Sequence, residues 1–209
     1  MKKKIVSAFT ALFVLFCLST VSLAAEGKTY FGIQAGPSFL SDSTISAPGF
    51  YDSTLSFDSG YAAGFMLGHS FSNNFRIEGE YTIRKNDISS VIDAPGYPSR
   101  DTSGDVSVNS LMGNVYYDIK TPESRIYPYV GVGIGFSDVN FTTKSGDVIG
   151  DTVFSYQLIG GVAVPLSTSI TLDVNYRYFA TSDLSADLGI PVEADYTSHS
   201  VMAGLRLNF

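Results

Sequence analysis

Residues 200–209 alternate without interruption, and no other stretch restricts the fold of this chain as tightly. Val201, Ala203, Leu205, Leu207 and Phe209 fall on one side of a strand, whereas Ser200, Met202, Gly204, Arg206 and Asn208 fall on the other. Successive strand side chains point to opposite faces, so one face is apolar and the other carries a guanidinium and an amide. About ten alternating residues is what a tilted strand needs to cross a bilayer. A soluble sheet can show the same alternation. The length of the run, its final aromatic residue and the recurrence of the pattern point to a membrane instead.

The amino end agrees with that compartment. Lys2, Lys3 and Lys4 precede an apolar run over residues 5–18, and Ser22, Leu23 and Ala24 form a small-x-small cleavage pattern. A cleavable signal peptide over residues 1–24 is expected, with a mature chain from Ala25. The run is shorter than the roughly 20 residues of a spanning helix. Cys17, the single cysteine, lies inside it and follows Phe16 rather than a small residue, which argues against lipidation. The mature chain then has no thiol for a disulfide, a nucleophile or a metal site. Loss of three lysines leaves 10 of the 13 basic residues against 20 acidic ones, taking the formal net charge from −7 to −10. Nucleic acid is excluded as a partner, because phosphate binding needs a basic face. Residues 25–209 are long enough for one domain.

Eight strand candidates follow, over residues 29–40, 55–71, 75–84, 105–119, 126–137, 151–164, 170–179 and 196–209. The third sets Phe75, Ile77, Tyr81 and Ile83 against Arg76, Glu78, Glu80, Thr82 and Arg84. The seventh sets Ile170, Leu172, Val174, Tyr176 and Tyr178 against Thr171, Asp173, Asn175 and Arg177. The connections alternate long and short: 41–54, 72–74, 85–104, 120–125, 138–150, 165–169 and 181–195. Long loops on one side and short turns on the other are the plan of an up-and-down transmembrane barrel. A soluble barrel with the opposite face inward has the same alternation; the export signal and the loop rhythm favour the membrane form. Aromatic residues near strand ends suit the headgroup level: Tyr30, Phe31, Tyr116, Tyr117, Tyr127, Tyr129, Tyr176, Tyr178, Phe179 and Phe209.

The segments 127–135 (YPYVGVGIG), 172–179 (LDVNYRYF) and 204–209 (GLRLNF) resemble the small eight-stranded outer-membrane barrels of Gram-negative bacteria, the opacity-protein and OmpA/OmpX-like group. The resemblance covers the whole mature chain. It implies an all-β, eight-stranded antiparallel transmembrane β-barrel in the cell outer membrane, without cofactors. Its partners would be outer-membrane lipid and lipopolysaccharide, and the barrel assembly machinery during insertion. For the loops, the resemblance implies adhesion to a host or cell-surface ligand. Tyr196, Val201, Leu205, Leu207 and Phe209 would form the C-terminal assembly signal. A monomer is expected.

On this reading the lumen holds Arg76, Arg84, Arg177 and Arg206 with Glu78, Glu80, Asp118 and Asp173, four charges of each sign. Charges in so narrow a space must pair, and eight strands leave an interior that side chains nearly fill. The set therefore reads as a structural plug rather than a conducting filter. Gly131, Gly133 and Gly135 would face inward to make room for large neighbours such as Arg177. The outer loops and strand mouths carry 14 acids (Asp42, Asp52, Asp58, Asp87, Asp93, Asp101, Asp105, Asp138, Asp147, Asp151, Asp183, Asp187, Glu193, Asp195) against Lys85, Arg100 and Lys144. That surface reads first as a solvated one, and second as a site for cations or a basic partner. No calcium-loop spacing is present. A narrow solute channel is the nearest alternative function. A lipid-modifying enzyme is a weaker one, since neither His69 nor His199 has a serine two residues away on its own face.

Overall fold

Each alternating segment forms a strand in the computed structural model. It describes residues 27–41, 43–45, 53–92, 100–101, 104–121, 123–143, 148–182, 184–187, 191–194 and 196–209. In chain order the strands are β1 (Gly27–Leu40), β2 (Ser43–Ile45), β3 (Ser53–Phe57), β4 (Gly60–Phe71), β5 (Phe75–Ile92), β6 (Arg100–Asp101) and β7 (Gly104–Asp118). They continue with β8 (Tyr127–Thr143), β9 (Val148–Pro165), β10 (Ile170–Thr181), β11 (Leu184–Asp187), β12 (Pro191–Ala194) and β13 (Thr197–Asn208). Eight of these, β1, β4, β5, β7, β8, β9, β10 and β13, pair antiparallel in chain order. β1 also pairs with β13, with Ile33 opposite Leu205, and this closes the barrel. The short strands β2, β3, β6, β11 and β12 lie in the long connections. The expected signal peptide lies outside the described residues.

Closure leaves no free sheet edge, which a bilayer requires because nothing there can satisfy an open row of amides and carbonyls. The outward face is apolar: Ile33 is 56 % exposed, Ile134 63 % and Leu207 50 %. On β13 this belt runs from His199 to Phe209. Ten residue steps of about 3.3 Å, tilted by about 40°, span roughly 25 Å, the height of a hydrocarbon band. Aromatic pairs sit on the belt, Phe75 with Tyr117 near the short turns and Phe136 with Phe154 towards the loops. Four aromatic residues assigned by sequence to the headgroup level do not belong there. Tyr30, Tyr116, Tyr129 and Phe179 are at most 4 % exposed and face the lumen. Each lies one residue from an outward neighbour, so strand parity turns it inward.

The short turns 72–74 and 166–169, and the described residues 119–121 and 123–126, lie at the same end as both termini of the described barrel. Asn74 makes the first turn possible by adopting a left-handed conformation, φ 70°, which asparagine tolerates better than most residues. At the other end the strands run further than alternation suggests. β5 stays paired with β7 as far as Asp87 opposite Asp105, and β8 with β9 as far as Thr142 opposite Val148. The expected loop 138–150 is therefore mostly paired wall, and the expected second strand is split into β3 and β4. Beyond the apolar belt the outward positions turn polar while Val106 and Val139 fill the inward ones, so the rhythm that marks a lipid-facing strand is lost while backbone pairing continues.

Candidate functional site

β5 threads the lumen with an ionic side chain at four of five successive inward positions: Arg76, Glu78, Glu80 and Arg84, with Thr82 between the last two. All eight charged residues that sequence places inside are buried, at 6 % exposure or less. Towards the short turns, Arg76 Nε donates to Asp118 Oδ1 at 2.9 Å, and its guanidinium lies over the rings of Tyr116 (4.3 Å) and Tyr129 (4.9 Å). Glu78 accepts from the hydroxyls of Tyr30 and Tyr116, both at 2.8 Å. Arg206 Nε donates to Asp173 Oδ2 at 2.6 Å and lies 5.1 Å from the Tyr30 ring.

Midway along the barrel, Arg177 pairs with Glu80 and donates also to Gln34 Oε1 at 2.9 Å and Asn175 Oδ1 at 2.7 Å. Thr82 donates to the second oxygen of Glu80 at 2.6 Å. Asn114 bridges Glu78 and Glu80, and accepts from Gln157 at 2.8 Å. Buried ions persist only when paired and hydrogen-bonded, and this layer meets that condition. Sequence reading missed its neutral members, Tyr30, Gln34, Asn114, Tyr116, Tyr129 and Gln157. Parity would have found them, since Tyr116 lies two residues from Asp118 and shares its face.

Arg84 departs from this pattern. Nη1 donates to Ser110 Oγ at 3.0 Å, the guanidinium lies 4.0 Å from the Phe179 ring, and no carboxylate among the described residues lies within ion-pair distance. Ser155 donates to Ser137 and Ser137 to Ser110, at 2.7 and 2.9 Å. Towards the loops the lumen becomes apolar, with Val106, Val108, Met112, Val139, Val153, Phe179 and Tyr196 packed together. Tyr196 was grouped by sequence with the outward stripe Val201, Leu205, Leu207 and Phe209. It stands five residues from Val201, an odd number, and points inward at 2 % exposure.

The inward glycines are crowded. A Cβ on Gly131 would strike the Tyr116 ring, and one on Gly133 would strike Asn114 and Gln157, so the large neighbours differ from the expected Arg177. At the short-turn end a recess of about 570 Å³ opens beside Lys28, Lys120 and Asn208, and Asp118 and Arg206 form part of its lining. The histidines lie at opposite ends of the outer face: His69 Nδ1 is 3.1 Å from Thr29 Oγ1, and His199 Nδ1 contacts the Tyr176 hydroxyl. At the strand mouths, Asp105 pairs with Lys85 at 3.5 Å and Asp138 accepts from Asn140 at 3.1 Å. Among the described residues no group of three or more His, Cys, Asp or Glu side chains could hold a metal ion.

The sequence matches the model of the outer membrane protein beta-barrel domain over residues 8–209. No curated protein matches it. Among solved structures, Neisserial surface protein A is 21 % identical, with a TM-score of 0.57, and the match covers 86 % of this chain and 97 % of that one. The outer membrane protein OprG from Pseudomonas aeruginosa is 15 % identical, with a TM-score of 0.62 over 88 % and 98 % of the two chains. The outer membrane protease OmpT from Escherichia coli is 9 % identical, with a TM-score of 0.51 over 87 % and 97 %. At such identities the likeness speaks for the fold alone. A closed eight-stranded wall, a lipid-facing belt and a family match spanning nearly the whole chain make this protein a member of the outer membrane protein β-barrel family, resident in the bacterial outer membrane.

Proposed function

We propose that this barrel is a non-enzymatic, monomeric surface protein that supports the envelope and makes adhesive contacts through its acidic loop end. The observation that carries the reading is the paired wall of β5 with β7 and β8 with β9, which continues past the apolar belt and holds the loop end on a stiff collar. Binding residues are disproportionately found on loops positioned by a rigid scaffold. The acidic balance of that end suits a basic ligand on a host or another cell. Deleting the residues between β5 and β7, or between β10 and β13, should abolish cell or matrix binding while the barrel still inserts. Unchanged binding would end the adhesive reading.

The remaining parts of the proposal follow from the same wall. The outward stripe Val201, Leu205, Leu207 and Phe209 serves as the assembly signal, and lipid and lipopolysaccharide cover the belt. The eight charged residues of the lumen act as a structural plug. The export signal is removed after Ala24, so sequencing the mature protein should begin at Ala25. The recess at the short-turn end favours a second reading, a narrow solute channel. Silence of the purified barrel in planar-bilayer recording is the expected result, and discrete conductance steps would favour the channel.

A further inference from the structure

We propose that the recess at the short-turn mouth of the barrel binds one small organic phosphate monoester, held as its dianion. The recess encloses about 570 Å³, more than a bare phosphate needs, and its wall is made largely of inward positions at the strand ends. Asp118 and Arg206 form its floor, and their partners Arg76 and Asp173 belong to the packed ion layer that closes it on the loop side. The pocket is therefore blind, open at the short-turn end, which is the periplasmic side of such barrels. Binding there needs no passage through the lumen.

Positive charge is in surplus at this mouth. The four arginines and four carboxylates of the lumen cancel one another, and Lys28 and Lys120 come on top of that balance, both lining the recess. Lys120 lies 3.9 Å from Asp118, whose other oxygen already accepts from Arg76 at 2.9 Å. Lys28 has no ion-pair partner among the described residues. Glu123 and Arg125, on the neighbouring connection, offset each other. The donors are also free. Asp173 holds Arg206 through Nε alone. Nη1 and Nη2 of Arg206 have no hydrogen-bond partner among the described residues, and neither is sealed from solvent as the free atoms of Arg84 are. That edge of a guanidinium grips two oxygens of a phosphate or carboxylate. Thr171 accepts from Asn208 at 3.2 Å, so its own proton can go to a third oxygen. A carboxylate would answer only one of the two surplus lysines, whereas a phosphate monoester answers both. Phe71, Tyr127 and Pro165 give the organic part of the ligand an apolar wall.

Titration calorimetry of the purified, folded barrel in detergent tests this, with glycerol 3-phosphate at about pH 8, where the phosphate is doubly charged. One molecule should bind per barrel. Lys28→Gln and Lys120→Gln should each weaken binding about tenfold, and the two together should abolish it. Lys85→Gln, at the opposite mouth, should leave it unchanged. Absence of binding to the wild type, or undiminished binding to the double variant, would overturn the site. The wild type alone supplies a second measurement, should the double variant fail to fold. Methyl sulfate has the same tetrahedral head with a single charge, and should bind at least about tenfold more weakly than methyl phosphate. Equal affinities for the two would refute a site built for a dianion. Failure on either count leaves the adhesive reading, which concerns the opposite end, untouched.

Discussion

The two halves of the lumen are closed by different physics. Near the short turns the space is filled by ions that hold one another: Arg76, Arg206, Glu78, Asp118 and Asp173, wrapped by three tyrosine rings. Near the loops it is filled by aliphatic and aromatic side chains, with Arg84 at the boundary. The ionic half depends on complete pairing, because one missing partner strands a charge in a low dielectric. The apolar half depends mainly on volume, and losing a side chain leaves a cavity. A barrel wall thus supports two kinds of core at once, because inward positions on neighbouring strands meet at fixed heights.

The largest expected effect comes from the ionic half. Arg177→Met should destabilise the barrel by about 3–5 kcal/mol, by leaving Glu80 buried and unpaired. Adding Glu80→Leu should restore much of the loss. A double variant as weak as the single one would show that packing, not pairing, holds that layer. Urea titration read by the gel mobility of folded and unfolded forms measures both. In the apolar half, Met112→Ala should cost about 2–5 kcal/mol through the cavity it leaves, with no rescue available from a charge partner. The lipid face sharpens the contrast from outside. Leu205→Arg should cost about 2–4 kcal/mol at mid-membrane, whereas Asn208→Arg, at the recess, should be far milder. Equal costs at the two positions would mean that the face assignment is wrong.

Much of this architecture was legible in the sequence because a membrane wall enforces two-residue periodicity. The inward assignment of Arg76, Glu78, Glu80, Arg84, Asp118, Asp173, Arg177 and Arg206 needed nothing beyond parity. Two kinds of feature were not legible. The strand extensions beyond Arg84 and Ser137 exchange the polarity of the wall, with Val139 inward between Asp138 and Asn140, so the apolar-outward rhythm of the belt ends there although the backbone stays paired. The identity of each ion's partner depends on how strands distant in sequence are staggered. Nothing local indicates that Arg177 meets Gln34, 143 residues away, or that Arg84 meets Phe179 rather than an acid. Tyr30, Tyr116, Tyr129 and Phe179 were misplaced because aromatic character was weighed ahead of their odd spacing from lipid-facing neighbours.

The seam between β1 and β13 carries one last consequence. Alternation tells a closing strand which side to show the lipid, but a slip by two residues would satisfy it equally well. The lumen does not allow that slip. Arg206 must reach the Tyr30 ring, Arg177 must reach Gln34, and Ser200 must stand beside Ser38, for the first and final strands to meet with the lumen contacts made. The buried ions therefore act as a key cut into the wall. A misaligned closure that the oily exterior would accept parts these contacts inside the lumen.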